Sequence, residues 1–431
     1  MTAAQIALYV VLSQNAATPP SIVTAQQLYA PNGQPDRVRL TWDGDPATSQ
    51  AVTWRTDETA GSPVAQIALA HHGPSLETMA ATVQGRSESV KSDLGWTSRY
   101  STVSFRDLKP KTQYVYRVGD GVNWSEWHHF RTASQKPEPF SFIYIGDAQN
   151  GIRPLWSRVI RQAFVDNPKA KFILYAGDLV NRANMDAEWG ELYSGPGWVN
   201  ASTPIVPAAG NHEYSGTPRV LSDHWRPHFE LPMNGVPTLP ETCYTFDIQG
   251  LRVIVLDSNR EHEAQAEWLK GVLANNPNLW TVVSFHHPVF SASVGRDNAK
   301  LRELWKPILE QGNVDLVLQG HDHTYARNSY QSVLRPGDRG WSPIYIVSVS
   351  GSKMYQLNPQ PWMVRAAEDT QLYQNIRIEG GRLHYEARTA TGDLYDEFRL
   401  EKRRPGRSRY VDLKPKSPDF RRPAAAKKTD D

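Results

Sequence analysis

The chain changes rhythm once. Between about residues 36 and 132, apolar and polar residues alternate in short runs, at 38–42, 50–54, 65–69, 102–105 and 114–118, separated by Gly, Asp and Pro. Successive strand side chains point to opposite faces, so this period predicts an antiparallel β-sandwich of roughly one hundred residues. Beyond residue 139 the apolar runs at 140–145, 171–176, 251–256, 280–285, 314–318 and 344–349 alternate with longer stretches at 155–167, 184–193, 263–275 and 298–311. In those stretches apolar residues recur at three- and four-residue spacing, and the alternation predicts an α/β domain. Pro137 and Pro139 lie in a polar run at 133–139 that reads as an extended linker between the two domains.

Length agrees with that division, since 431 residues exceed what one hydrophobic core usually serves. The expected segments are an N-terminal arm at 1–30, the sandwich at 31–133, the α/β domain at 139–402 and a tail at 403–431. No run approaches the roughly 18 consecutive apolar residues of a membrane span, so no transmembrane segment is expected. The formal net charge of +2 is unevenly spread, because residues 401–431 hold eleven Lys/Arg against five Asp/Glu. That basic, proline-bearing end is expected to be disordered, and no nucleic-acid-binding domain is read from it. Residues 6–12 are apolar and long enough for a signal-peptide core, but they lack a basic region in front. Both readings stay open: an exported protein, periplasmic or secreted, with a trimmed leader, or a cytoplasmic one with an extended arm. The single cysteine, Cys243, has no partner in the chain, which excludes a disulfide framework and a thiolate metal cluster and leaves buried packing.

Five segments of the α/β domain end in the same way. Each hydrophobic or extended run stops at a residue able to hold a metal or a phosphate: Gly146-Asp147, Gly177-Asp178, Gly210-Asn211-His212, His286-His287 and Gly320-His321-Asp322-His323. Ligand sites of α/β sheets lie beyond the C-terminal ends of the strands, so these stops are expected on one rim. Asp, Asn and His without Cys supply hard oxygen and borderline imidazole donors, which suit Zn, Mn, Fe or Ni. There are enough donors for two ions, and paired cations about 3.5–4 Å apart are suited to phosphoryl transfer.

These motifs, in this order, resemble the purple acid phosphatase branch of the calcineurin-like metallophosphoesterases. The sandwich, with residues 108–114 and Trp124-Ser125-Glu126, is similar to that family's fibronectin type III-like N-terminal domain, and residues 385–395 to its closing strands. The resemblance implies a two-sheet α-β-β-α sandwich behind the all-β domain. It assigns Asp147, Asp178 and His323 to one metal, and Asp178, Asn211, His286 and His321 to the other, with Asp178 as the bridge. The implied cofactors are two divalent or mixed-valence transition metal ions, Mn, Zn or Fe. They lower the pKa of bound water toward about 7, which gives a hydroxide nucleophile. His212 takes the family position that protonates or stabilises the leaving oxygen, with Glu213 as an acidic neighbour to orient it. Tyr325 and Arg327 stand where the family supports the site from behind its ligands, with packing as an equal alternative for Tyr325. His287, Asn211 and Arg296 are the candidate substrate contacts, with solvent exposure as the alternative for Arg296.

Two positions depart from the family pattern. The tyrosine that gives the purple colour is replaced by Asn181, and Gln149 stands where relatives outside the purple branch place a histidine. Both are possible extra metal ligands or loop-bonding residues, and the protein is expected to be colourless. The implied activity is hydrolysis of a small-molecule phosphoester, with an acid phosphatase-like phosphomonoesterase first. A phosphodiesterase on nucleotides or lipid headgroups is the alternative from the same chemistry. A non-catalytic protein that binds phosphorylated ligands or surfaces is the alternative from another class.

Overall fold

The computed structural model describes residues 22–333 and 342–421. Of the expected arm at 1–30, residues 1–21 lie outside the described residues, as does the end of the tail, and Ala25–Tyr29 form a short helix. No helix among the described residues is long and apolar enough to cross a membrane.

The first domain is a β-sandwich of two four-stranded antiparallel sheets. One sheet holds β1 (Asp36–Thr41), β2 (Gln50–Thr56), β6 (Thr97–Phe105) and β5 (Arg86–Lys91), and the other holds β4 (Ala81–Gln84), β3 (Val64–Leu69), β7 (Gln113–Gly119) and β8 (His128–Arg131). The alternation in the sequence becomes the packing between them: Leu40, Val52, Trp54, Val103, Phe105, Tyr116, Val118 and Phe130 form one buried cluster. The linker is pinned from the second domain, where Gln249 accepts from Ser134 N (3.1 Å) and donates to Glu138 O (3.1 Å).

The second domain stacks two seven-stranded sheets between helices. In one, β9 (Phe140–Ile145), β10 (Ile173–Tyr175) and β11 (Ile205–Pro207) run parallel, and β21 (Leu372–Glu379), β22 (Arg382–Thr389), β23 (Leu394–Glu401) and β24 (Arg409–Asp412) continue it as an antiparallel meander. In the other, β15 (Leu251–Val255), β16 (Trp280–Ser284), β17 (Leu316–Gln319) and β19 (Ile344–Val347) are parallel. It is flanked by β14 (Tyr244–Ile248) on one side and by β18 (Tyr325–Arg327) and β20 (Arg365–Ala367) on the other. A short ribbon of β12 (Tyr214–Ser215) and β13 (Val220–Leu221) lies apart from both.

Strand alternation decides which layer each side chain joins. Val253, Val255, Val282, Leu316, Leu318, Ile344 and Ile346 face the opposite sheet, where Phe172 sits between Phe142 (4.6 Å) and Phe246 (6.0 Å). Their neighbours Ile254, Val283, Val317 and Tyr345 face the helices His262–Ala274 and Ala299–Gln311 through Leu269, Leu301, Trp305 and Leu309. Burial on both faces explains why these strands read as unbroken apolar runs.

The structure corrects two expectations here. Residues 403–421 are not a free tail: β24 pairs with β23, and Phe420 stacks on Tyr395 at 4.5 Å. A segment with little apolar content is held because it completes a buried charge, Arg327, which reaches Asp412 Oδ1 at 3.0 Å. Tyr325 and Arg327, in turn, do not lie behind the candidate ligands. Both bind Asp396 of the opposite sheet, Tyr325 Oη at 2.6 Å and Arg327 Nε at 2.5 Å, and so join the two sheets through a buried ion pair.

Candidate metal centre

The five sequence stops meet on one rim. Asp147 and Asp178 follow β9 and β10, Asn211 follows β11, His286 follows β16, and His321 and His323 follow β17. Two groups of donor atoms lie within 4.8 Å of one another: Asp178 with His286 and His321, and Asp147 with Asp178 and His323. Asp178 belongs to both.

The backbone is bent to make this possible. Asp147, Asp178, His321 and His323 all have positive φ, between 40° and 75°, a conformation that costs L-residues energy and that clusters at functional sites. Gly210 and Gly320 permit the close approach. A Cβ on Gly210 would stand 2.2 Å from Asp178 Oδ1, and one on Gly320 would stand 2.3 Å from Asp147 Oδ2.

His286 and His323 are oriented by the ring nitrogen that faces away from the cluster. His286 Nδ1 lies 2.9 Å from Ala176 O, which leaves Nε2 at 3.2 Å from Asp178 Oδ2 and 3.1 Å from both Asn211 Oδ1 and His321 Nδ1. His323 Nδ1 lies 2.8 Å from Lys353 O, leaving Nε2 at 3.8 Å from Asp147 Oδ1. Lone pairs of two carboxylates, an amide and three imidazoles thus converge, and such a set calls for positive charge among its members. The protonation balance says the same. Burial alone would lower His286, but Asp178 and Asp147 raise it to about 9. Burial lowers His323 to about 3 and drives Asp147 well above the ordinary carboxylate range. Asp178 is held below that range by His286 and His212, although burial opposes this. Divalent cations would satisfy all of these donors at once, so the residues fit a two-metal centre.

Around the donors, Gln149 is fully buried, with Nε2 at 2.6 Å from Asp178 Oδ2 and 3.4 Å from His323 Nε2. Its carboxamide therefore lies among the candidate ligands. Asn181 takes part through its backbone: its carbonyl lies 2.5 Å from His212 Nδ1, which turns His212 Nε2 toward Asp178 Oδ2 at 3.9 Å. Glu213 does not orient His212 as expected. Its buried carboxylate, raised to about 8 by burial and by Asp178, accepts backbone N–H groups from Asp178 (2.9 Å), Leu179 (2.9 Å) and Gly210 (2.7 Å), tying together the loops that carry Asp178 and Asn211. His287 packs its ring 4.3 Å from that of His321 and meets Ser258 Oγ at 2.8 Å. Arg296 is half-buried, donating to His321 O at 3.1 Å. Lys353 and Tyr355, beside His323, carried no motif and are visible only in the fold.

Similarity to known proteins follows the same division. The model of the purple acid phosphatase N-terminal domain matches residues 35–132, and that of the calcineurin-like phosphoesterases matches residues 140–325. An uncharacterized protein of Mycobacterium tuberculosis is 28% identical over 68% of this chain, and the match spans 61% of that relative's length. Acid phosphatase type 7 of Homo sapiens is 23% identical over 89% of this chain and 94% of its own. The structure of a purple acid phosphatase from yellow lupin (Lupinus luteus) seeds has the same fold. It superposes with a TM-score of 0.72 at 17% identity, over 86% of this chain and 75% of that one. The chain belongs to the calcineurin-like phosphoesterases of purple acid phosphatase type, with that family's N-terminal domain in front of its phosphoesterase domain.

Proposed function

We propose that the protein is a metal-dependent phosphomonoesterase with a dinuclear centre. The observation that carries this reading is the Asp178 carboxylate, common to two donor groups at the C-terminal rim of both sheets. Asp147, Asp178 and His323, with Gln149 beside them, would hold one cation, and Asp178, Asn211, His286 and His321 the other. When bound, such a pair supplies Lewis-acid polarisation of the phosphoryl oxygens and activation of water. The protein's own groups do the rest. Asn211 adds a neutral donor, so the centre keeps the positive charge that attracts a phosphate dianion. His212 is partly exposed and donates through Nδ1 to the Asn181 carbonyl, so Nε2 is turned toward the site, where the doubly protonated ring gives its Nε2 proton to the leaving oxygen. With Asn181 in place of a tyrosine no phenolate meets a metal, so divalent Mn, Zn or Fe suits the site and the protein is colourless.

The test compares a chromogenic phosphomonoester with the matching diester, using protein stripped of metal and reloaded with Mn, Zn or Fe. Monoester turnover should dominate. In His212→Ala it should fall by about 10²–10⁴-fold with metal content unchanged. Faster turnover of the diester would make this a phosphodiesterase. Absence of turnover with two ions bound would leave a phospho-ligand-binding protein.

A further inference from the structure

The wall of the site on the His321–His323 side carries a positive charge that metal binding does not use. Tyr355 packs its ring 4.6 Å from that of His323, and its N–H donates to His323 O at 3.1 Å. Two cations lie against the same ring. The Arg296 guanidinium lies 4.6 Å from its centroid, with Nη2 3.3 Å from Tyr355 Oη, and Lys353 Nζ lies 5.4 Å from the centroid. Arg296 is held over the metal-ligand loop by His321 O at 3.1 Å, and its carboxylate partner among the described residues, Asp322 at 3.7 Å, is fully buried. Its Oδ2 accepts from the N–H groups of Ala292 (2.5 Å) and Ser293 (3.3 Å), and its Oδ1, which has no hydrogen-bond partner, is the oxygen paired with Arg296, so Arg296 is partly compensated. Lys353 forms no ion pair among the described residues, and its backbone carbonyl, not its ammonium, orients His323.

The opposite side differs. There His212 stands on the Asn181 carbonyl, and the neighbouring Arg182 is paired with Glu188 at 2.9 Å. Beside His323 the charge without a described ion pair is that of Lys353, reinforced by the partly compensated Arg296, while near His287 the Arg219 guanidinium is held by Asn259 Oδ1 at 3.1 Å. A metal pair recognises one phosphate without help, so cations placed beside it on one wall act on whatever else the substrate carries there. Arg stacked on a ring keeps a planar donor edge available, and Lys supplies a mobile point charge, a combination that accepts carboxylate or phosphate.

From this arrangement we infer that the preferred substrate carries a second anionic group, phosphate or carboxylate, next to the scissile phosphate, received by Lys353 and Arg296 across Tyr355. The inference rests on the phosphomonoesterase reading and narrows it to bis-anionic esters.

The test uses three esters built on the same two-carbon unit: 2-hydroxyethyl phosphate, ethylene glycol bisphosphate and 2-phosphoglycolate. In the metal-loaded protein kcat/KM should favour one or both of the doubly anionic esters by about tenfold or more, and the two arms name phosphate or carboxylate as the second group. Lys353→Gln should bring that ratio close to one, mainly through KM, and Lys353→Arg should restore most of it. A merely structural role would lower all three esters together and leave the ratio intact. In His212→Ala the dissociation constants of the bisphosphate and the monophosphate should differ in the same sense, with the difference shrinking as salt is raised. Turnover of all three esters at equal efficiency, or a ratio indifferent to Lys353→Gln, overturns the second-anion site alone. No turnover of any ester overturns the phosphoesterase reading and takes this inference with it.

Discussion

Asp178 Oδ2 stands 3.2 Å from His286 Nε2, although the two residues come from different sheets of the domain. On its other side the same oxygen meets Gln149 Nε2 at 2.6 Å, and His323 belongs to the same donor group. This one carboxylate therefore joins the donors of the two sheets. Asp178→Asn should remove both ions together. Metal analysis after gel filtration should fall from two per chain to below one, and monoester turnover should drop by about 10³-fold or more. Loss of a single ion would mean that Asp178 is not shared.

Gly210 gives the sharpest steric test. A Cβ there would meet Asp178 Oδ1 at 2.2 Å and Asp178 N at 2.3 Å, so Gly210→Ala should displace the carboxylate and depress metal content as strongly as Asp178→Asn. Gly271, inside the helix His262–Ala274, has nothing within 4 Å of such a Cβ. Gly271→Ala should leave metal content unchanged and raise stability by about 0.5–1 kcal/mol in urea unfolding.

At the junction of the two domains, Asp186 receives Arg37 at 2.8 Å and Arg55 at 3.2 Å, all three nearly inaccessible to water. Removing the carboxylate strands the buried Arg37, while Arg55 keeps its bidentate pair with Asp36, so Asp186→Asn should cost about 3 kcal/mol. Burial alone would raise the Asp186 carboxyl, but Arg37 and Arg55 hold it below the usual carboxylate range. Its stabilisation is therefore present above the unfolded-state value and lost as pH falls through the folded one. The difference in urea midpoint between wild type and Asp186→Asn should be constant above about pH 5 and shrink steadily below about pH 4.

Truncation after Ser408 tests the packed C-terminal segment. It removes β24, the Asp412 and Tyr410 partners of Arg327, and Phe420 from the face of Tyr395. Arg327 keeps Asp396, so folding should survive with a loss of about 2–4 kcal/mol, read as a lower urea midpoint. Unchanged stability would return residues 409–421 to the status of a solvated tail.

Much of the site was legible because its signals are local. A strand that is buried on both faces reads as an apolar run, and the residue that ends it is the one the rim receives, so Asp147, Asp178, Asn211, His286, His321 and His323 stood out with their glycines. Roles that depend on partners far away in the chain did not. Glu213 looked like a companion of His212 because it is adjacent in sequence, yet its carboxylate spans two loops and ties their backbones. Tyr325 and Arg327 followed a metal-ligand motif closely enough to suggest support for the metals, whereas their hydrogen bonds cross to Asp396 on another strand of another sheet.

The sequence by itself determined the two domains' fold class, the order of the site-bearing strands and the chemical character of the donors, because periodicity and residue type act within a few positions. Tertiary structure alone decided that Asn181 offers its carbonyl to His212 and that Lys353 and Tyr355 stand beside His323. It also decided that a basic, proline-bearing end closes over a buried arginine. The physical reason is the same in each case. A hydrogen bond or an ion pair between distant segments depends on where the sheets bring them, and no local pattern of apolar and polar residues encodes that distance.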